Sequence, residues 1–257
     1  MRLAQRIAIA IALAAAAVPA AADSSRLDAI VAASVIRVGT TGDYKPYTFL
    51  DKAGDRSGFD VEMARALGEA LGVQVAFVPT TWPNLAHDLQ SGAFDIAMGG
   101  VSITPERQAI GVFSDPYLRD GKTPIARCAD RSKYQTLSDI DRPGVRVIVN
   151  PGGTNERFDR ARLHQAEIVV QPDNASIFDT LAAGGADVMI TDASETRLQQ
   201  TLHPGTLCAI HPETPFEVAQ KAYWMPPDPA LEAAVDRWLR KMKDTGALEA
   251  LETKWLP

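Results

Sequence analysis

The stretch TDASETR sets two carboxylates, Asp192 and Glu195, three residues apart just after the apolar run ADVMI. With a helix opening at Ala193, Asp192 is its N-cap and Glu195 its third residue. That is the spacing of a capping box, which implies no chemistry. The same glutamate, shielded from water, would keep its proton near neutral pH and could donate it to a leaving group. The dipole at a helix N-terminus works against this by favouring the charged form. The spacing leaves both readings open.

Two further stretches suit an anion. In GGVSITPERQ, Gly99 and Gly100 let backbone N–H groups approach a ligand closely. Ser102 and Thr104 add hydroxyls, and Arg107 offers a two-pronged fork for a carboxylate. NPGGTNERF places glycines ahead of a helix whose free N–H groups favour negative charge, with Thr154 set to cap that helix and face the ligand. Each stretch also reads as an ordinary strand-to-helix turn. No hydrolase nucleophile motif or phosphate loop occurs, and His87, His164, His203 and His211 are scattered without metal-ligand spacing. Neither a metal nor a cofactor is expected.

Alternating strand and helix patterns must position these residues. Residues 35–40 (VIRVGT) read as a strand. GFDVEMARALGEALG reads as a helix with Val61, Ala64, Leu67 and Leu71 on one face and Gly72 as its stop. A strand over 73–79 follows, then a helix in WPNLAHDLQSG and a strand in FDIAMGG. A second set comprises a strand over 145–150, the NPGGTNERF turn, a strand in AEIVVQP, a helix in NASIFDTLAAGG and a strand in ADVMITD. HDLQSGAFDIAMGGVS and FDTLAAGGADVMITDAS share one layout, with Asp95 matching Asp187, as in two related halves. This alternation predicts an α/β fold with ligands at the carboxyl ends of strands. Residues 217–226 read as one strand and PALEAAVDRWLRKMKDTG as an amphipathic helix that returns to the first half. The chain then crosses between halves near 119–123 and 217–223.

The first residues, MRLAQRIAIAIALAAAAVPAAADSS, combine Arg2 and Arg6 with a short apolar run and a small-residue site, as in a cleaved export signal over 1–22. The run is too short for a good membrane span, so no membrane insertion is expected after cleavage. The remaining 235 residues suffice for one large or two small domains. The net charge of −6 becomes −8 without Arg2 and Arg6, which argues against nucleic acid as a partner. An anionic ligand would therefore need a local positive site. Cys128 and Cys208 are an even pair, expected to form a disulfide in an oxidising compartment; two buried free thiols are the alternative.

GFDVEMARALGEALG, FDIAMGGVSITPERQAIGVFSDPY and their order resemble the periplasmic amino-acid-binding proteins of ABC importers. The resemblance implies a two-lobed α/β fold, each lobe a mixed sheet flanked by helices, with the ligand in the cleft and two hinge crossings. One lobe would span 23–119 with 221–257, the other 120–220. It also implies that Arg107 holds a ligand carboxylate and Asp192 an ammonium group. A narrower resemblance covers nearly the whole mature chain. TTGDYKPYTF, PTTWPNL, YLRDGKTPI, NPGGTNERF, TDASETRL and PFEVAQKAYW are similar to the periplasmic cyclohexadienyl dehydratases, an enzyme branch of that fold. These convert prephenate to phenylpyruvate and arogenate to phenylalanine, releasing carbon dioxide and water.

That chemistry needs two carboxylates held and a leaving hydroxyl protonated, with no nucleophile, metal or cofactor. Arg107, Gly100, Ser102, the turn with Asn150 and Thr154, and Lys122 would supply the positive and polar wall. Trp82 would shield the ring, Asp43 and Tyr44 would add polar contacts, and Asp192 would stand beside the acid. The match of TDASETR to the dehydratases favours Glu195 as general acid over Glu195 as cap. The competing function is a receptor that binds a polar amino acid for a membrane permease; Glu195, GDYKP and RDGKTPI separate the two. Oligomeric state is left open, a homo-oligomer included.

Overall fold

A computed structural model describes residues 25–51 and 53–256. The expected export signal, residues 1–22, lies outside them.

VIRVGT forms the strand Val35–Thr40, whose burial alternates before its end sinks into the core. It pairs in parallel with Gln74–Pro79 on one side and Ile96–Ala97 on the other. Trp224–Met225 pairs antiparallel with Ile96–Ala97 and Val112–Phe113, so the sheet is mixed. In the second sheet, Glu167–Val170, Arg146–Val149 and Val188–Asp192 run parallel. Leu118–Arg127 joins them antiparallel and also pairs with Leu207–Ala209 and Glu217–Lys221. Helices flank both sheets, giving two α/β lobes. A short three-stranded sheet, Asp43–Tyr44, Thr48–Leu50 and Arg56–Ser57, adjoins the first.

The matching segments around Asp95 and Asp187 fold into matching clips. Asp95 accepts from the backbone N–H of Arg37 at 2.9 Å and from its guanidinium, whose Nη1 also reaches the carbonyl of Gly92 at 2.9 Å. Asp187 does the same with Arg146, whose Nη1 reaches the carbonyl of Gly185 at 2.9 Å. In each lobe an aspartate just before a strand thus ties that strand to its neighbour and to the preceding glycine turn.

The helix Phe59–Leu71 carries Asp60 and Glu62 in its first turn and stops at Gly72 in the left-handed region, φ 70°. The helix Pro229–Asp244 is capped by Asp228, which accepts from the N–H of Leu231. Its Leu231, Val235, Trp238 and Leu239 join Ile36, Val38, Phe59 and Met63 in the core of the first lobe. Burying each such side chain contributes about 1.5–3 kcal/mol, so the tail of the chain holds the lobe that its beginning forms. In the second lobe Cys128 and Cys208 are bonded across 80 residues of sequence.

The expected strand over 217–226 is two strands, Glu217–Lys221 in the second sheet and Trp224–Met225 in the first. The chain passes from one sheet to the other here, and no single ladder can serve both. The FDIAMGG strand is shorter than expected, Ile96–Ala97, because Gly99 and Gly100 turn the chain away at positive φ. The expected helix of NASIFDTLAAGG opens as a 3₁₀ turn, Asn174–Ser176, before Ile177–Ala182.

Candidate active site

Val188–Asp192 ends where the helix Ala193–Leu202 begins, with Asp192 as N-cap. The capping box does not form, because Asp192 makes no side-chain bond to the helix N-terminus. Its carboxylate is drawn instead to cations. Lys122 Nζ donates to Oδ1 at 2.8 Å, while Lys221 Nζ and the Tyr44 hydroxyl both donate to Oδ2. Burial pushes the Asp192 carboxyl up, but Lys122 and then Lys221 outweigh it and hold it well below the usual carboxylate range.

Glu195 is equally free of capping duty. It is 3 % exposed, and its Oε2 accepts from Thr191 Oγ1 at 2.6 Å. Burial pushes its carboxyl up to about 8; the Thr191 hydrogen bond opposes this and anionic Asp192 reinforces it. Two carboxylates three residues apart thus differ widely in proton affinity, since the lysines bond one and not the other.

Lys221 escaped the sequence analysis. It is fully buried, and its Nζ reaches the Gly100 carbonyl at 3.0 Å and Ser102 Oγ at 3.3 Å besides Asp192. It also lies 5.2 Å from the ring centres of Tyr44 and Tyr47. Its place in PFEVAQKAYW, at the second crossing between lobes, was the available signal.

Arg107 is buried, with Nη1 donating to the Ser102 carbonyl at 2.8 Å and the guanidinium 5.9 Å from the Trp224 ring. Among the described residues it pairs with no carboxylate. Burial, then Arg157, lowers its pKa to about 10, so it stays charged at neutral pH. A buried cation lacking a counter-ion is a site for an anion.

Arg107, Glu195 and Asp192 line one cavity together with Tyr44, Trp82, Gly100, Ser102, Asn150 and Thr154. Asn155 and Asn174 complete its polar wall. Trp82 stands edge-on to Tyr44, ring centres 5.6 Å apart. The two lobes meet around this cavity. Tyr44 bonds Asp192, Tyr47 bonds Asp120 and Ser194, and Asn174 Nδ2 donates to the Asp43 carbonyl at 3.0 Å. Among the described residues no group of histidine, cysteine or carboxylate side chains is arranged to hold a metal.

Four expectations need correction. Asp43 is not on the cavity wall; it neighbours Tyr44 on one strand, where successive side chains face opposite ways, and Tyr44 takes the inward place. Lys122 also lies behind the wall, where its Nζ holds Asp192, Thr154 and Asn155. Gly100 cannot offer its N–H to a ligand, because that group donates to buried Asp60. Its own need for glycine is steric: at φ 65° a Cβ would sit 2.6 Å from both Tyr44 and Tyr47. Thr154 is the first residue of its helix rather than the cap, which is Gly153, and its hydroxyl accepts from Lys122 at 2.9 Å.

The profile of the family described as bacterial extracellular solute-binding proteins, family 3, matches residues 36–257. A cyclohexadienyl dehydratase of Pseudomonas aeruginosa is 53% identical over 91% of this chain and 87% of its own. An L-cystine-binding protein of Escherichia coli is 26% identical over 91% and 87% of the two chains. The crystal structure of an ancestral amino acid-binding protein, described as a precursor of cyclohexadienyl dehydratase, superposes with a TM-score of 0.85. The two are 37% identical, covering 91% of this chain and 100% of that one. With a matched region running from the first strand through the last residue, the chain belongs to family 3 of the bacterial extracellular solute-binding proteins.

Proposed function

We propose that this protein is a cyclohexadienyl dehydratase, a carbon–oxygen lyase that converts prephenate to phenylpyruvate and arogenate to phenylalanine. The observation that carries the reading is Glu195, a buried carboxyl that burial pushes up to about 8, on the wall of a cavity that Arg107 also lines. A transport receptor has no use for such a proton donor. A dehydratase requires one.

In this reading Glu195 gives its proton to the ring hydroxyl of prephenate. The ring carbon–oxygen bond breaks, and its electron pair leaves with the oxygen as water. The bond to the ring carboxylate breaks in concert, its pair enters the ring, and carbon dioxide departs. Arg107 holds the carboxylate that remains, and Trp82 with Tyr44 walls the ring from water. Such a positioned acid contributes about 10²- to 10⁴-fold.

Charge supports prephenate in particular. Arg107 lines the cavity with no carboxylate partner among the described residues, and Lys122 and Lys221 together outnumber the one carboxylate, Asp192, that they share. Asp192, the residue that would hold an ammonium group in a receptor, already has both oxygens bonded by lysines and Tyr44. Arogenate, with an ammonium group, fits less well and should be the poorer substrate. Membership of an extracellular family makes this an exported protein; the periplasm, reached through a leader cleaved after residue 22, is the compartment this reading assigns. The division this reading assigns is two lobes, 23–119 with 221–257 and 120–220. The test is to mix the protein with prephenate and follow phenylpyruvate absorbance. Tight amino-acid binding with no product formation would favour the receptor instead.

A further inference from the structure

Each turnover of the proposed reaction consumes a proton. The prephenate dianion and one proton give the phenylpyruvate monoanion, carbon dioxide and water, and Glu195 is left as a carboxylate. A proton must then return to a group that is 3 % exposed and sits in a cavity filled by substrate or product.

A second cavity also reaches Glu195. It lies between the Asp43–Tyr44 hairpin and the start of the helices Ile177–Ala182 and Ala193–Leu202. Its rim is exposed Lys45, Leu50 and Ala175, and its inner lining is buried Asn174, Phe178 and Gln199. Arg107, Ser102, Asn150 and Thr154 line the first cavity and not this one; Asn174 and Glu195 are common to both. The second cavity is also polar where apolar side chains would seal it. Asp43 Oδ1 and Asn174 Oδ1 are buried with no hydrogen-bond partner among the described residues. Gln199, 6 % exposed and one helical turn beyond Glu195, makes no side-chain hydrogen bond among them either. Buried polar groups without protein partners are satisfied by water, and water in contact with a carboxylate carries protons to it.

We infer that the second cavity is the path by which a solvent proton returns to Glu195 while the first is occupied. This rests on the dehydratase reading. A hydronium ion at the rim passes its proton inward along water held by Asp43, Asn174 and Gln199, the O–H bond on Glu195 re-forms, and water remains outside. Burial raises the Asp43 carboxyl as well. The competing route is opening of the lobes, which would expose Glu195 through the first cavity.

The two routes separate kinetically. Gln199→Leu removes a water-holding group without touching substrate, and Ala175→Trp plugs the rim at an exposed position where folding is not at stake. With enzyme in excess Glu195 starts protonated, so the single-turnover rate on prephenate should stay within about twofold of wild type in both variants. Under multiple turnover kcat should fall about tenfold or more with KM for prephenate falling too, and the solvent isotope effect on kcat should rise. Wild-type multiple-turnover rates in both variants, or single- and multiple-turnover rates that fall together, would overturn the path. A wild-type protein that forms no phenylpyruvate would refute the dehydratase reading, and the path with it.

Discussion

Glu195→Gln replaces a protonated carboxyl by a neutral amide of the same shape. Near neutral pH it therefore changes the charge of the site little. The wild-type side chain accepts one hydrogen bond, from Thr191 Oγ1 at 2.6 Å, and an amide oxygen can accept the same bond. No helix cap is lost, since the capping box is absent. The variant should thus melt within a few degrees of wild type and bind prephenate with similar affinity. What it lacks is a transferable proton, so kcat should fall by about 10²-fold or more. The pH profile adds a second, independent readout. With its carboxyl at about 8, the wild-type acid is in its active, protonated form below that pH and loses it above. About nine-tenths of the free protein is competent at pH 7 and about one-tenth at pH 9, so kcat/KM should drop roughly tenfold for each unit above 8. The residual rate of the variant should be flat across the same range. A variant with full turnover, or a wild-type profile that stays level through pH 9, would refute the assignment of Glu195 as the acid.

Arg107→Ala should raise KM for prephenate by about 10- to 10²-fold, since a charge-assisted contact of about 1.5–3 kcal/mol is lost, while the urea unfolding midpoint shifts little beside it; an unchanged KM would remove Arg107 from the site. Lys221→Met removes one of the two cations that share Asp192, so prephenate should lose about tenfold or more in kcat/KM relative to arogenate, and an unaltered ratio of the two substrates would contradict the charge argument. Thiol titration of denatured, unreduced protein should detect no free thiol, and reduction should destabilise the fold by up to about 4–5 kcal/mol, as expected for closing a loop of 80 residues.

Much of the candidate site was legible because strand ends in α/β folds gather ligands, and Arg107, Asn150, Thr154, Asp192 and Glu195 all lie at or beyond the ends of strands whose patterns are plain. The role of Asp192 was not. An aspartate followed three residues later by a glutamate reads as a cap, and only the arrival of Lys122 and Lys221 from other strands turns the carboxylate away from the helix. Lys221 was hidden for the same reason, since the sequence places it only within one strand over residues 217–226. Its burial follows from where the two sheets meet, a long-range fact that no local pattern encodes. Asp43 failed by one position. A two-residue strand, Asp43–Tyr44, carries too little alternation to say which side chain faces in.

Lys221 also joins two mechanical worlds. Its backbone lies in the strand that runs between the lobes: its carbonyl accepts from the Tyr117 N–H at 3.0 Å, and it forms a bridge with Ser102. Its side chain ends among the reacting groups. Atoms on an axis of rotation move least, and displacement grows with the length of the lever arm. If the lobes swing about these crossing strands, Arg107 and Glu195 part company while the Lys221 ammonium keeps its place near the pivot. An open molecule would then still present a fixed positive charge at the floor of its cleft, so an arriving dianion is oriented before the acid reaches it.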